Sequence, residues 1–330
     1  MFLKLQFIKK DFELKESFKI SHQTKTIIKS IIIKINNNNS SGFGECIPYK
    51  RYGESREAIF TYLKNNYDKI IQNIKDNKIK NIKFLSLRNA IESALIHLNF
   101  KKIKFYNKRI TAITLPIVNK NKLLKKIIEF KNIPLIKVKL NEHNVIDHLK
   151  LIKKKYPKSK IIIDANEGWR FNFLKNIIQQ LEKLNVIMIE QPLKYGQDKK
   201  LLKIKTKILF CADESFHANN KNNIIKYYKV FNVKLDKFGG IQNSLKIIKN
   251  LKKKNKKIFI GCMVSSSLSL VPALTLAKYS DFLDLDGAYF LKKDFEKGIS
   301  YKNGILSVNK DFLWINKKGS QESLGGLFKN

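Results

Sequence analysis

Arginine is scarce in this chain. Of its 66 basic residues only five are Arg (Arg51, Arg56, Arg88, Arg109 and Arg170), and the other 61 are Lys. Sequence-specific readers of nucleic acid lean on the bidentate guanidinium, so the formal charge of +39 does not by itself announce a nucleic-acid partner. The lysines are spread over the whole length, and Ile, Asn and Phe are inflated with them, a composition that an AT-rich coding sequence produces. Weak, nonspecific attraction to polyanions follows as a side effect; a specific nucleic-acid function does not. Cysteine is limited to Cys46, Cys211 and Cys262, in no metal-ligand spacing, and so sparse and odd a set fits a reduced, cytoplasmic setting. Proline numbers six, and no Pro/Ser-rich linker divides the chain, so its parts should be tightly docked. No apolar run approaches the length of a membrane span. The opening MFLKLQFIKKDFELK alternates like a strand and lacks the core of a signal peptide. Gly42-Phe43-Gly44 completes no dinucleotide fingerprint, and neither a P-loop nor a Ser-centred nucleophile elbow is present. His143 and His148, five apart, have a poor metal spacing, and His97 on an otherwise apolar helix reads as a core or interface residue.

What is present is a recurrence. Lys139 closes IKVKL, Asp164 and Asn166 close IIIDAN, Glu190 closes VIMIEQP, Asp213 and Glu214 close LFCADES, and Lys237 closes VKLDK. Each unit is a short aliphatic run, a charge at its C-terminal end and a Lys/Ile-rich helical stretch. The units repeat about every 25 residues, the sequence form of a parallel (β/α) barrel whose strands end in one ring of functional groups. Eight strands are expected, the first in ITAITLPI after Arg109 and the others near 134–140, 160–165, 186–190, 208–212, 230–236, 257–263 and 282–286. Residues 1–108 read differently: strands FLKLQFI, SFKI, KTIIKSIIIKIN and GFGECIP, then helix from Ser55 to about Phe100. This is an α+β cap on an α/β barrel spanning 109–290. The segment 291–330, with an Asn303-Gly304 hairpin signal, should return to the cap. At 330 residues both parts are affordable as one docked body.

Oxygen ligands without His or Cys point to a hard cation such as Mg²⁺. Asp164, Glu190 and Asp213 fall on consecutive strands, and Lys139 and Lys237 flank them. Lys137 shares the inward face of Lys139 by the strand period of two. A lysine beside a divalent cation and another lysine should favour its neutral form and act as a base. The cation would stabilise the enediolate formed when a carboxylate substrate loses its α-proton. With one base on each face, removal from one side and return from the other inverts the carbon.

The set KVK (137–139), DAN (164–166), EQP (190–192), ADES (212–215) and KLDKFGG (234–240) resembles the enolase superfamily in its muconate-lactonising-enzyme-like branch, over nearly the whole chain. The resemblance implies a capped, modified (β/α)₇β barrel with Asp164, Glu190 and Asp213 as Mg²⁺ ligands. It implies Lys139 and Lys237 as the opposed acid/base pair, with Lys137 supporting Lys139 or touching the substrate carboxylate. On the last strand, Asp284 and Asp286 in DLDG offer a seat for a cation, most simply a substrate ammonium group. That pattern resembles the signature of dipeptide epimerases, as do GFGECIPYKRYGES (42–55) and TAITLP (111–116), which contains Thr114. Asp286-Gly287 as a plain strand-end turn is the other reading.

Two departures stand out. Ala-Glu epimerases usually carry an Arg where FKISHQTKT (18–26) has His22, and His cannot offer the bidentate fork. Lys25, or His22 itself, is then left to bind an acid. In GCMVSSSL (261–268), Ser265 stands where relatives often place a Glu; Cys262 and Val264 line the pocket, or Cys262 belongs to the core. The resemblance thus implies a small dipeptide substrate led by L-Ala-D/L-Glu, inversion at the C-terminal residue, and a role in peptidoglycan recycling. An o-succinylbenzoate synthase or muconate cycloisomerase reaction is the alternative, and a homo-oligomer stays open.

Overall fold

A computed structural model describes residues 3–20, 23–99, 108–117, 120–128, 132–217, 221–312 and 328 of the chain. Three strands open it: β1 (Lys4–Ile20), β2 (Gln23–Asn36) and β3 (Ser41–Cys46), antiparallel in that order. The two runs FLKLQFI and SFKI are joined into one long β1, whose register with β2 shifts between Glu13 and Phe18. The helix Leu85–Leu98 lies directly on β3. Gly42 and Gly44 permit this: a Cβ on either would stand 2.0 Å from the carbonyl oxygen of Ala94 or Ala90. That is what the Gly-Phe-Gly run is for in this chain.

The barrel follows. Its strands are β5 (Ile113–Leu115), β6 (Leu135–Lys139), β7 (Lys160–Asp164), β8 (Val186–Glu190), β9 (Leu209–Ala212), β10 (Val230–Lys234), β11 (Lys257–Gly261) and β12 (Phe282–Asp284), after a short β4 (Lys108–Ile110). They are ordered β5 to β12 in one parallel sheet. The Ala112 N–H donates to Leu283 O at 2.8 Å and draws the two edges together. Helices such as Val145–Lys155, Phe171–Lys183 and Ile241–Lys253 cover the outside through one large apolar core. Among the described residues no helix is long and apolar enough to cross a membrane.

The last hairpin, β13 (Ile299–Lys302) and β14 (Ile305–Val308), pairs with β4, where the chain enters the barrel, and not with the cap sheet. The segment reaches the cap through Leu291 opposite Leu14, the Lys292 N–H to Glu13 O at 2.8 Å, Phe295 edge-on to Phe12 and Phe328 beside Phe43. Residues 313–327 lie outside the described residues.

Cap and barrel meet through buried acids. Glu45 accepts from the backbone N–H of Ser266 at 3.2 Å and from its hydroxyl, and Asp236 accepts from Asn89 Nδ2 at 3.0 Å. Burial pushes Glu45 up to about 8, helped by Asp294 and Asp236, and Asp236 up to about 7. A carboxyl held protonated in the fold but ionised when unfolded gives stability that is complete below pH about 4.5 and lost as pH rises through 8. Glu45→Gln should therefore flatten the fall in Tm between pH 5 and 8.5 in thermal melts. An unchanged slope would exclude Glu45 as its source.

Candidate active site

The inward-facing layer low in the barrel is apolar: Leu135, Ile162, Met188, Cys211, Val230 and Phe259 pack on one another. Two residues further along each strand the period of two brings the same face round again. There stand Lys137, Asp164, Glu190, Asp213, Asn232 and Gly261, with Lys139, Lys234, Asp284 and Asp286 alongside or above. A closed apolar floor thus carries a charged mouth.

The carboxylates of the arc are adjacent. Lys139, Asp164 and Glu190 follow one another in register across β6, β7 and β8, and Asp213 sits just past the end of β9. Lys137 Nζ lies 3.1 Å from Asp164, 2.7 Å from Glu190 and 2.7 Å from Asp284. Lys139 Nζ donates to Asp164 at 2.6 Å and Asn166 at 2.9 Å. Asn232 Nδ2 donates to the other oxygen of Glu190 at 2.7 Å. At the last strand Asp286 accepts from the Thr114 N–H at 2.6 Å, and Thr114 Oγ1 is 3.5 Å from Asp284.

Lys237 is placed otherwise than the motif reading expects. β10 ends at Lys234, and Lys237 belongs to the helical turn Leu235–Phe238 beyond it. The strand-end lysine is Lys234, which donates to Asp213 at 3.0 Å and stands 3.9 Å from Glu190. A Cβ at its register partner Gly261 would come within 2.9 Å of Lys234 Cε, so the glycine leaves room for the lysine stem. In the eight-strand order β10 lies four places from β6, so Lys234 faces Lys139 across the barrel. Lys237 donates to Asp213 at 2.7 Å from above and lies over the ring of Tyr52 at 5.0 Å. The period of two from Val230 through Asn232 to Lys234 was the signal for both missed residues.

The acids of the arc act strongly on the lysines among them. Burial lowers Lys137, but Asp164, Asp284 and Glu190 outweigh it and hold the ammonium well above the usual lysine range. Asp213 and Glu190 do the same for Lys234, and Asp213 for Lys237, each against burial. In turn, Lys137 and Lys139 overcome burial to hold Asp164 below the ordinary carboxylate range. Burial with Asp213 pushes Glu214 up to about 7, and burial with Asp284 does the same for Asp286.

One chamber collects these groups. Lys137, Lys139, Asp213, Lys234, Asp284 and Asp286 line it from the barrel, with Thr114, Cys262 and Val264 beside them. Lys25, Tyr49 and Tyr52 line it from the cap. Cys262 also packs against the large core, so both roles read for it hold. His22 lies outside the described residues. A larger open cleft of about 970 Å³, around Trp169 and Arg170, lies outside the barrel mouth and gathers none of the arc.

Residues 122–311 match the family model described as Enolase C-terminal domain-like. The chain belongs to that family. Within it, the chain is 32% identical to an N-acetyl-D-glutamate racemase of Pseudoalteromonas sp, over 86% of this chain and 94% of that one. It is 28% identical to the L-Ala-D/L-Glu epimerase of Escherichia coli (strain K12), over 88% and 95%. Its fold is similar to that of an enolase family member from Agrobacterium tumefaciens with homology to dipeptide epimerases, solved with bound sodium and L-Ala-L-Glu (TM-score 0.85, 29% identity, 93% and 98% covered). It is similar too to a dipeptide epimerase from Cytophaga hutchinsonii complexed with Mg and D-Ala-L-Val (TM-score 0.80, 25% identity, 93% and 94% covered). Among the described residues of this enolase-family chain, the acids are not drawn round a common point as ligands. The Lys137 ammonium sits among them instead. The donor set nevertheless fits a hard cation: three buried carboxylates on adjacent strand ends, with only oxygen to offer.

Proposed function

We propose that this protein is an Mg²⁺-dependent dipeptide epimerase that inverts the α-carbon of the C-terminal residue, with an L-Ala-L-Glu type substrate. The observation that carries the reading is the opposition of Lys139 and Lys234 across a mouth that also holds Asp284 and Asp286. Asp164, Glu190 and Asp213 would hold the cation, which when bound supplies Lewis-acid stabilisation of the charge building on the substrate carboxylate. Lys139 and Lys234 would remove and return the α-proton from opposite faces, and Lys237 would brace Asp213 from above. The names of the similar proteins, three of which concern dipeptides, support this choice over a synthase or cycloisomerase. Peptidoglycan recycling and a cytoplasmic location fit such a substrate.

Lys25 is suited to the substrate's side-chain acid. It reaches the chamber from the cap, its Nζ 5.2 Å from the Tyr49 ring centre, and burial together with Lys50 lowers its pKa. Among the described residues no carboxylate is paired with it. Lys25→Met should cut kcat/KM for L-Ala-L-Glu about tenfold or more while sparing the neutral isostere L-Ala-L-Gln. Equal losses on both would remove Lys25 from side-chain recognition.

A second reading, racemisation of an N-acylated amino acid, is favoured by one observation. Asp284 is already engaged by Lys137 at 2.7 Å, which weakens its call for a substrate ammonium group. The N-acetyl-D-glutamate racemase relative points the same way. Incubation with Mg²⁺ in D₂O against L-Ala-L-Glu, L-Ala-L-Gln, L-Ala-L-Ala and N-acetyl-D-glutamate decides between them. Deuterium entry with a new diastereomer of a dipeptide is expected; exchange confined to the N-acetylated acid would transfer the assignment. Exchange in none of them would sink both.

A further inference from the structure

Behind the arc, outside the set of groups discussed so far, lies a buried network around Gln191, Asp198, Ser215 and Tyr228. Asp198 Oδ1 accepts from the hydroxyls of Ser215 and Tyr228, each at 2.6 Å, and Oδ2 accepts from the Gly196 N–H at 3.1 Å. Both hydroxyls spend their protons on that one oxygen. Each hydroxyl oxygen is then left to accept, and the donor it finds is Gln191 Nε2, at 2.8 Å from Ser215 and 3.2 Å from Tyr228. The same nitrogen gives one of its two hydrogens to Leu193 O at 2.9 Å, so the two hydroxyls share the other. Backbone groups decide which way round the amide lies: the Leu193 carbonyl takes Nε2, and two N–H groups take the amide oxygen. That oxygen, Oε1, faces the backbone N–H groups of Asp213 and Ser215, at 3.1 and 3.0 Å.

Gln191 is the residue after Glu190, and it is held in the left-handed region at φ 38°. One side chain thus ties the backbone of Glu190 to that of Asp213. We propose that Asp198 is a positioning residue: by orienting the two hydroxyls that hold the Gln191 amide in place, it sets the placement of Glu190 and Asp213 as partners for one cation. The inference rests on the reading of the arc as a cation site. It separates two properties that a simple packing role would move together, the affinity for the ion and the affinity for the substrate.

The test uses Asp198→Asn in the full chain. An amide at position 198 no longer obliges both hydroxyls to donate, so they need not both present an accepting oxygen to Gln191 Nε2 and the hold on that side chain loosens. Mn²⁺ binding, followed by electron paramagnetic resonance of the free ion, should weaken about tenfold or more. The KM for L-Ala-L-Glu at saturating metal should shift less than twofold. Tyr228→Phe removes one of the two relays and should weaken Mn²⁺ about threefold, and it serves should Asp198→Asn fold poorly. Amide hydrogen exchange at Asp213 and Ser215 gives a readout independent of metal, and both should lose protection in Asp198→Asn. Mn²⁺ affinity within twofold of the parent in both folded variants would overturn the positioning role. A parent protein that binds no Mn²⁺ would instead overturn the cation reading, and unchanged amide protection in Asp198→Asn would then overturn the orientation argument on its own.

Discussion

Lys139→Ala and Lys234→Ala should each abolish inversion, by about 10³-fold or more, and each should leave α-proton exchange intact in a different diastereomer. The reason is positional. The two ammonium groups come from β6 and β10, four strands apart in a ring of eight, so a substrate lying over the arc presents one face to each. Removing one lysine leaves the other to take and return a proton on its own side, which exchanges hydrogen for deuterium without inverting the carbon. Lys237→Ala should behave differently: a reduced rate, through a less well held Asp213, but exchange in both diastereomers with inversion retained. Proton NMR in D₂O of the two purified diastereomers reads all three variants. One-sided exchange in Lys237→Ala, with inversion surviving in Lys234→Ala, would return the role of second base to Lys237.

Chelation should have an effect of the same size. The arc carboxylates hold Lys137 and Lys234 protonated beyond the ordinary lysine range, which keeps Lys234 from serving as a base. Engaging the same oxygens with a divalent cation redirects their charge and lets a lysine give up its proton. EDTA should take α-proton exchange to background, and Mg²⁺ in excess should restore it. Glu190→Gln should resemble the chelated protein even with Mg²⁺ present. Exchange persisting in EDTA would contradict the cation-assisted mechanism.

The barrel and the arc were legible because most strands announce themselves twice, by an aliphatic run and by the charge at its end; β5 and β11 lack the charge. Asp164, Glu190, Lys137 and Lys139 stand where the period of two puts them. Lys234 was hidden by its neighbourhood: KLDKFGG reads as one motif, but its first residue ends a strand and its fourth lies on a helical turn. Spacing alone cannot see the change of backbone between them. Gln191 and Asp198 were invisible for another reason. Their roles come from contacts 7 to 37 residues away in sequence, which no local pattern encodes. The Asn-Gly turn specifies a terminal hairpin and says nothing of which edge it pairs with; β4 offered the free edge.

The apolar floor beneath the mouth has a consequence for isotopes. Phe259 lies under Lys137, its ring centre 5.6 Å from Nζ, and Met188 and Ile162 close the layer around it. The packed layer bars solvent from below, and among the described residues Lys25 and Tyr49 line the doorway on the cap side. A hydrogen lifted from a substrate is then carried by a lysine that meets fresh water chiefly between turnovers. Some product should therefore leave with the label it brought, and the fraction retained would measure how tightly the doorway shuts.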